Sequence, residues 1–565
     1  MAKDRRDRAP DPQSDKQAGK QSDKPADRPR RGWFVRFLAL VEWLGNLLPH
    51  PVSLFAIFAT AAVAVSGLAS VLGVAVDDPR PVGVKGRAEN GLIEVFNLMS
   101  GDGIRWIVEN LVTNFTGFAP LGTVLVALLG VGVADRSGLL SAVIRAMVLA
   151  APRHLVTMVI VFAGVVSNTA SEMGYVVLIP LAATIFHAMG RHPLAGLAAA
   201  FAGVSGGYSA NILIGTVDPL LAGITQEAAR FIDPEYEVHA AVNWYFMIGS
   251  TFLITTLGTL VTTRIVEPRL GTYDPANAEE GVDHDPSMEA VSATERRGLR
   301  WAAASAGLVA LAIAWVAGPF PGVLADAGWT AWTGWGVLRN PDTGGLFPSP
   351  LLRGVVSMIF VFFLVPGVVY GRVVGTMRND RDVIDAMAGT MNTMGLYIVL
   401  VFFAAQFVAF FEKSNLGMIV AVVGADALRA MGLDNALVFV PFILMCCFVN
   451  LMLGSASAQW AVTAPIFVPM LMSIGYSPEV IQAAYRIGDS STNIVTPMMS
   501  YFGLILAFAS RYDKRLGIGT LMSTMLPYCM FFIVGWMIFF YLWVFVLGIP
   551  VGPGTGVHYP PVVAP

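Results

Sequence analysis

The sequence predicts an all-α polytopic membrane protein built from two similar halves, each carrying a re-entrant hairpin and a broken helix. Three observations predict it. First, 55% of its 565 residues are hydrophobic and only 13% charged, with mean hydropathy +0.64, whereas soluble chains carry about 25% charged residues. Second, several uncharged runs approach or exceed the roughly 20 apolar residues that a bilayer crossing needs. The clearest are Pro51–Val76, His239–Thr263, Trp301–Ala325, Gly354–Gly371 and Leu516–Leu547. Third, polar interruptions of apolar segments recur in the same order in both halves.

Residues 1–31 are charged and almost free of aliphatics. They cannot bury enough apolar surface to fold and read as a disordered tail, too polar for a cleaved signal peptide. Their Lys/Arg excess places the tail in the cytoplasm. A first half follows over 32–267. The polar stretch TYDPANAEEGVDHDPSMEAVSATERRG (272–298) is flanked by Arg264 and Arg269 on one side and Arg296, Arg297 and Arg300 on the other. Residues 268–299 therefore read as a cytoplasmic linker, 300–548 as a second half and 549–565 as a C-terminal tail. GWTAWTGW (328–335) fits an interfacial aromatic belt on the opposite side. The net charge of −3 says little beside this distribution, and no nucleic-acid partner is expected. Cys446, Cys447 and Cys529 lie in apolar runs without metal or disulfide spacing and read as small buried hydrophobes.

The breaks carry the functional signal. LVTMVIVFAGVVSNTASEMGYVVLIPLAATIF (155–186) is apolar on both sides of Ser167, Asn168, Thr169 and Ser171. Each arm is too short to span, so a hairpin with a polar tip is expected. In the next segment (194–219), Gly203, Gly206, Gly207 and Gly215 permit unwinding, while Ser205, Ser209, Asn211 and Thr216 supply oxygens. The second half repeats the order. Residues 436–475 have two apolar arms around Asn450 and Gly454–Trp460, and YRIGDSSTNIVTPMMSY (485–501) follows. Ser-x-Asn-Ile recurs in register, setting Asn211 against Asn493. Paired discontinuous segments in corresponding halves point to the substrate site of a secondary transporter. If the repeat is inverted, the hairpins enter from opposite faces: Arg191 and His192 close the first on the cytoplasmic side, and Ser477 and Pro478 close the second outside.

Each polar residue also has a plainer reading. Ser and Thr in membrane helices commonly bond to their own backbone. Arg486 and Asp489, at i,i+3, suit a helix-surface ion pair worth tenths of a kcal/mol. Glycines suit close helix packing. Recurrence in both halves favours a site, and an ionisable residue deep in a span costs about 2.5–3.5 kcal/mol on insertion scales, which marks it as functional. Arg486 and Asp489 fit best, Asp218 less well, and Glu172 stands beside the first hairpin tip.

GVVSNTASEMGYVVLIPLAA, FAGVSGGYSANILIGTVDPLLAGIT, GSASAQWAVTAPIFVPM and AYRIGDSSTNIVTPMMSY resemble the AbgT family of bacterial p-aminobenzoyl-glutamate transporters, and the similarity runs from about Leu38 to Leu547. The resemblance implies an inverted-repeat secondary transporter with about nine transmembrane helices and two re-entrant hairpins. It also implies a homodimer with an aqueous basin in the bacterial inner membrane, and kinship with divalent-anion/sodium symporters. Some members are linked to sulfonamide export. By the family's pattern, Asp218, Asn450, Ser457, Trp460, Arg486 and Asp489 contact substrate, and Pro478 and Pro497 mark helix breaks with Gly206 and Gly207. The symporters' Ser-Asn-Thr signature matches Ser167, Asn168 and Thr169; with Asn211, these are the first expected ion ligands. The second half departs, reading Ser491, Thr492, Asn493. Na⁺ is one coupling ion and H⁺ the alternative, carried by Asp489 or Asp218.

On this reading 485–501 is an unwound crossing. Arg486 offers a planar fork to a substrate carboxylate, Asp489 balances Arg486 or binds the coupling ion, Trp460 stacks on an aryl ring, and Pro497 restarts the helix. The expected function is ion-coupled transport of p-aminobenzoyl-glutamate-like conjugates, with sulfonamide export as the alternative. A membrane amidohydrolase would need a nucleophile–base or metal constellation, for which the spans offer no suitable histidine, so no enzymatic activity and no cofactor are expected. A passive channel would show no ion dependence.

Overall fold

The computed structural model describes residues 49–80, 87, 89–170, 174–274, 291–318, 336–343, 345 and 349–559. The N-terminal tail, the Trp-rich stretch 328–335, residues 275–290 of the polar linker, and Ser171 and Glu172 lie outside the described residues.

In the first half, α1 (Pro51–Val71) starts with proline at its first turn, where the missing N–H costs nothing. It stops short of Val76 because Ala75–Asp77 forms β1, antiparallel to β2 (Leu92–Glu94). α2 (Gly101–Thr116) and α3 (Ala119–Arg136) make one crossing, and α4 (Leu139–Leu149) follows. The first hairpin comprises α5 (Val156–Ser167), a 3₁₀ turn (Asn168–Ala170), a π turn (Gly174–Leu178) and α6 (Ile179–Ala188). The first broken crossing is α7 (Pro193–Phe201), a π turn (Ala202–Gly206), irregular backbone over 207–216 and α8 (Val217–Ala229). The break therefore falls at Gly206 and Gly207. α9 (Trp244–Val261) continues through a π turn to Leu270.

In the second half, α10 (Ala293–Ala317) begins inside the stretch assigned to the linker. There a capping box between Ser292 and Glu295 satisfies the first free amides. α10 ends at Gly318, well before Ala325. α11 (Val355–Val374), α12 (Asp380–Asn392), α13 (Gly395–Lys413) and α14 (Leu416–Ala430) lead to the second hairpin, α15 (Phe439–Leu453) and α16 (Ala456–Ser473). The second broken crossing is α17 (Pro478–Asn493) and α18 (Phe502–Tyr512); α19 (Ile518–Tyr541) is last.

Both hairpins are re-entrant, and they open at opposite ends of the molecule. Arg191, just past α6, donates to the Thr157 hydroxyl at the start of α5 (2.9 Å) and pairs with Glu267 at the end of α9 (2.6 Å). The first hairpin thus opens on the linker side, where Arg269 also bonds Ser523 near the start of α19. Phe439, at the start of α15, packs on Tyr476, just past α16 (4.9 Å), and on Phe545 at the far end of α19. The second hairpin thus opens at the other end, which is the inversion the repeat requires.

Eight helices among the described residues are long and apolar enough to cross a membrane. One of them, Ala436–Leu453, is a hairpin arm. The other seven, with the two broken crossings, make the nine crossings expected. Exposed Val65, Leu68, Leu308, Leu311, Val534 and Ile538 mark faces suited to lipid. At the centre α17 packs against α8, α15, α16, α19 and the π turn of the first broken crossing. The described part of the C-terminal tail is ordered: Ser477 N–H bonds Val557 O, Ser477 Oγ bonds Gly556 O, and Tyr559 N–H bonds Gly475 O.

The tip of the second hairpin depends on Gly454. It sits at φ +58° as the C-cap of α15, and a Cβ there would meet Met498 backbone at 2.9 Å. Gly454→Ala combines a left-handed strain of about 1–2 kcal/mol with a backbone clash. The expected result is a lower thermal unfolding midpoint in detergent; an unchanged midpoint would show that the tip and the 494–501 break do not touch.

Candidate functional site

Every residue of α17 is buried. Glu479, Gln482, Arg486, Asp489 and Asn493 advance by three, four, three and four positions, which puts them on one face of the helix. A fully buried helix with a charged stripe must find polar partners within the protein, because lipid offers none.

Those partners come from the other half. Arg486 Nη2 donates to Asp218 Oδ1 at 2.6 Å, with both side chains almost fully buried. Arg486 Nε donates to Asn243 Oδ1 (3.0 Å), and Gln482 Nε2 donates to the same oxygen (2.8 Å). Asn243 Nδ2 donates to Glu479 O (2.8 Å). Asp218 lies in the first turn of α8, where its Oδ2 also accepts the Gly215 N–H (2.6 Å), a favourable place for a carboxylate.

The region 485–501 therefore differs from the sequence reading. α17 stays helical through Asn493, so Arg486, Asp489, Ser490, Ser491, Thr492 and Asn493 all stand on regular helix; the break spans only 494–501. Pro497 lies inside that break and does not restart the helix, which resumes at Phe502. Pro478 instead opens α17 at its first turn. Of the two roles considered for Asp489, pairing with Arg486 is not seen, since the guanidinium turns to Asp218. Both Asp489 carboxylate oxygens are buried without a hydrogen-bond partner among the described residues. Trp460 is not open for stacking either. It is fully buried, its ring lies on Tyr485 (4.2 Å between centroids), and its Nε1 donates to Thr225 Oγ1 (2.8 Å). Ser457 sits beside Ser455 near the hairpin tip (3.4 Å).

The two hairpin tips meet the two broken crossings in the same way. Asn168 Nδ2 donates to Gly207 O (3.3 Å) and Asn450 Nδ2 to Asp489 O (2.5 Å), each reaching 39 residues ahead. Thr169 Oγ1 donates to Asn211 Oδ1 (3.0 Å), and Asn450 Nδ2 to Asn493 Oδ1 (2.8 Å) and Thr492 Oγ1 (2.9 Å). Glycine permits the contact in both halves: a Cβ on Gly164 would meet Val204 N at 2.8 Å, and one on Gly488 would meet Ile443 O at 2.7 Å. The unused oxygens match as well. Asn168 Oδ1 and Ser209 Oγ in the first half, and Asn450 Oδ1 and Ser491 Oγ in the second, are buried without partners among the described residues. Each serine stands two residues beyond the carbonyl that its asparagine holds. A buried polar atom left unpaired costs about 1–3 kcal/mol. Oxygens of this kind, with a carboxylate, suit a hard cation. Ser167 by contrast bonds back to Gly164 O (2.7 Å), and Asn211 Oδ1 is also occupied by the Ile212 N–H (2.9 Å). A Ser209 N–H to Ser490 Oγ bond (3.0 Å) joins the first break to α17.

A cavity of about 460 Å³ reaches both breaks, lined among others by Val176, Thr216, Leu220, Tyr397 and Tyr501, with Asp135 and Arg136. Tyr501 stacks on Tyr175 at 4.6 Å. A larger cavity of about 570 Å³, around Trp106, Arg230 and Lys413, lies at the other end of α8, away from the unpaired oxygens. Among the described residues no cluster of His, Cys, Asp and Glu could hold a metal ion.

Sequence reasoning missed Asn243, Gln482, Glu479 and Thr225. The three-four spacing on α17 carries the signal for Glu479 and Gln482. Asn243, in AAVNWYF, carries none, because its role follows only from where the 230–243 segment folds.

A family model described as the AbgT putative transporter family matches residues 36–559. The p-aminobenzoyl-glutamate transport protein of Escherichia coli (strain K12) is 37% identical over 514 residues, covering 91% of this chain and 95% of that protein. The solved Neisseria gonorrhoeae MtrF, described as illuminating a class of antimetabolite efflux pumps, aligns with TM-score 0.84 and 56% identity over 92% of this chain and 100% of its own. The Alcanivorax borkumensis YdaH transporter, described as having an unusual topology, aligns with TM-score 0.80 and 43% identity over 89% and 100%.

Proposed function

The chain belongs to the AbgT family, and from that premise we propose that it is an ion-coupled secondary transporter of p-aminobenzoyl-glutamate-like conjugates across the bacterial inner membrane. The observation that carries this reading is the Asp218–Arg486 pair, which ties the two inverted halves together beside matched sets of unpaired oxygens. The pair is closed in this conformation. A substrate carboxylate reaches the Arg486 fork by displacing Asp218, a like-for-like exchange that removes the buried ion pair between α8 and α17. The cavity that meets both breaks accommodates the aminobenzoyl ring, with Tyr501 and Tyr397 on its wall in place of Trp460. The orientation has the N-terminus in the cytoplasm, and the working unit is a homodimer.

The coupling ion binds the matched oxygens. Asn168 Oδ1 with Ser209 Oγ, and Asn450 Oδ1 with Ser491 Oγ and the Asp489 carboxylate, suit Na⁺; a proton on Asp489 is the alternative. Asn168→Ala and Asn450→Ala are each expected to weaken the apparent ion affinity about tenfold while preserving expression, since each loses a ligand and hydrogen bonds worth about 0.5–1.5 kcal/mol apiece. Ion-dependence curves that overlay wild type would remove the oxygens from the coupling site.

The likeness to MtrF supports a second reading, proton-driven efflux of sulfonamide antimetabolites. Labelled p-aminobenzoyl-glutamate and a sulfonamide, offered to proteoliposomes of known orientation with Na⁺ and pH gradients imposed separately, decide between them. The first reading expects the conjugate to accumulate with a gradient. Movement of the sulfonamide alone would transfer the protein to the second.

A further inference from the structure

We propose that Glu479 is a proton-binding site at the end of the central helix where the second hairpin opens, loaded and emptied from the adjacent solvent during the transport cycle. This deepens the coupled-transport reading and rests on it for its role in the cycle.

The argument starts from a count of charges. Four carboxyl or guanidinium side chains lie buried on the α17 column or bonded directly to it: Asp218, Glu479 and Asp489 against Arg486 alone. One carboxylate is neutralised by the guanidinium. If the other two were both ionised, the middle of the protein would hold two uncompensated negative charges, which burial penalises by several kcal/mol each. Each of the two needs a cation or a proton. Asp489 stands two residues before Ser491 and its carbonyl is held by Asn450, so the unpaired oxygens of the second half are its neighbours, whereas Glu479 lies more than two helical turns away from them.

The surroundings of Glu479 suit a proton. It is 5% exposed and makes no ion pair among the described residues. Both carboxylate oxygens take the Tyr236 hydroxyl, at 3.1 Å each, and the Glu479 N–H and the Ser477 hydroxyl are further donors. Its place in the first turn of α17 supports the ionised form through free helix amides, while the dry surroundings support the protonated one. Both states are therefore accessible. Solvent is close: Tyr236 and Tyr559 are half-buried, their rings lie 5.9 Å apart, and the Tyr559 hydroxyl reaches Asp233.

The charged and titratable groups facing this end can be enumerated. The 230–243 segment brings Asp233, Glu235, Tyr236, Glu237 and His239, with Arg230 Nε bonded to Tyr236 O and Glu237 paired with Arg353. The C-terminal segment brings Tyr559 and His558, and His558 packs on Tyr476; Arg80 is near enough to act on Tyr559 and Asp434 on Tyr476. Along α17 itself Arg486 stands seven residues on, about 10 Å by helix rise, linked through Asn243. A proton on Glu479 therefore changes the charge felt by the Asp218–Arg486 pair without touching it. The bond formed is O–H on the carboxyl, the proton comes from the adjacent solvent, and no other reactant is required.

The test is an infrared pH titration of full-length protein in nanodiscs, read at the protonated-carboxyl C=O band. Wild type is expected to show a band that titrates with pH and is missing in Glu479→Gln. Tyr236→Phe removes the donor that both carboxylate oxygens share and is expected to move the midpoint upward. Identical difference spectra in wild type and Glu479→Gln, or an unmoved midpoint in Tyr236→Phe, would overturn the proposal. If Glu479→Gln does not fold, Glu479→Asp replaces it, with a shifted midpoint expected and an unshifted one counting against. In proteoliposomes Glu479→Gln should keep substrate exchange within about twofold of wild type and lose the pH dependence of net flux. A pH profile that overlays wild type would also overturn it. Wild-type protein that exchanges no conjugate defeats the substrate reading, and the infrared titration still judges Glu479.

Discussion

Arg486→Ala is expected to abolish conjugate transport and to destabilise the protein. The substitution leaves Asp218 buried beside Gly215 with no cation, and breaking a buried pair in this way costs about 3–5 kcal/mol. Stability loss alone would not establish a role in transport, so the double substitution Arg486→Met with Asp218→Leu separates the two. Replacing a buried pair by apolar groups of similar volume is commonly neutral or stabilising. The double variant should regain the wild-type unfolding midpoint and stay inactive. Arg486→Lys should restore only part of the activity, since an ammonium cannot hold Asp218 and Asn243, or a substrate carboxylate, with a directed fork. A double variant that transports at the wild-type rate would make the pair dispensable and remove the displacement step.

The pair also shows where the sequence stops being legible. Apolar run lengths and the repeated Ser-x-Asn-Ile were enough for two halves, two hairpins and two breaks, because bilayer thickness and backbone satisfaction leave few alternatives. They were enough, too, to single out Arg486, Asp489 and Asp218. They were not enough to pair them. Neighbours at i,i+3 suggested Arg486 with Asp489, but a residue more than 260 positions away has the better geometry. The extent of unwinding was also misread. Ser490–Asn493 look like loop residues by composition, yet they stand on helix, where the side chains of Ser490, Thr492 and Asn493 have partners in the hairpin and the opposite break. Trp460 looked like a stacking surface; the structure gives that surface to Tyr485. Element ends such as Val71 and Ala317 depend on caps and turns that hydropathy does not register.

Asp489→Asn should give the opposite stability response and an equally large loss of function. Its carboxylate oxygens hold no hydrogen bond among the described residues, so the amide removes a buried charge and breaks no contact of the side chain. The unfolding midpoint is expected to stay level or rise, while gradient-driven transport falls to background. Exchange of labelled for unlabelled conjugate should be impaired less than net flux, because exchange needs no net turnover of the coupling ion. A clear drop in midpoint with normal ion dependence in the surviving protein would assign Asp489 to the scaffold instead.

The central claim is that an ion gradient does work on the conjugate through this inverted-repeat core. The most direct measurement is the zero-flux ratio. Proteoliposomes are loaded with conjugate at known concentration, a Na⁺ or pH gradient is imposed, and the external concentration at which net flux vanishes is found. The account predicts a ratio that departs from one and shifts in step with one of the two gradients. A ratio that stays at one whatever gradient is imposed would mean passive movement down the substrate's own gradient, and the coupled mechanism would be contradicted.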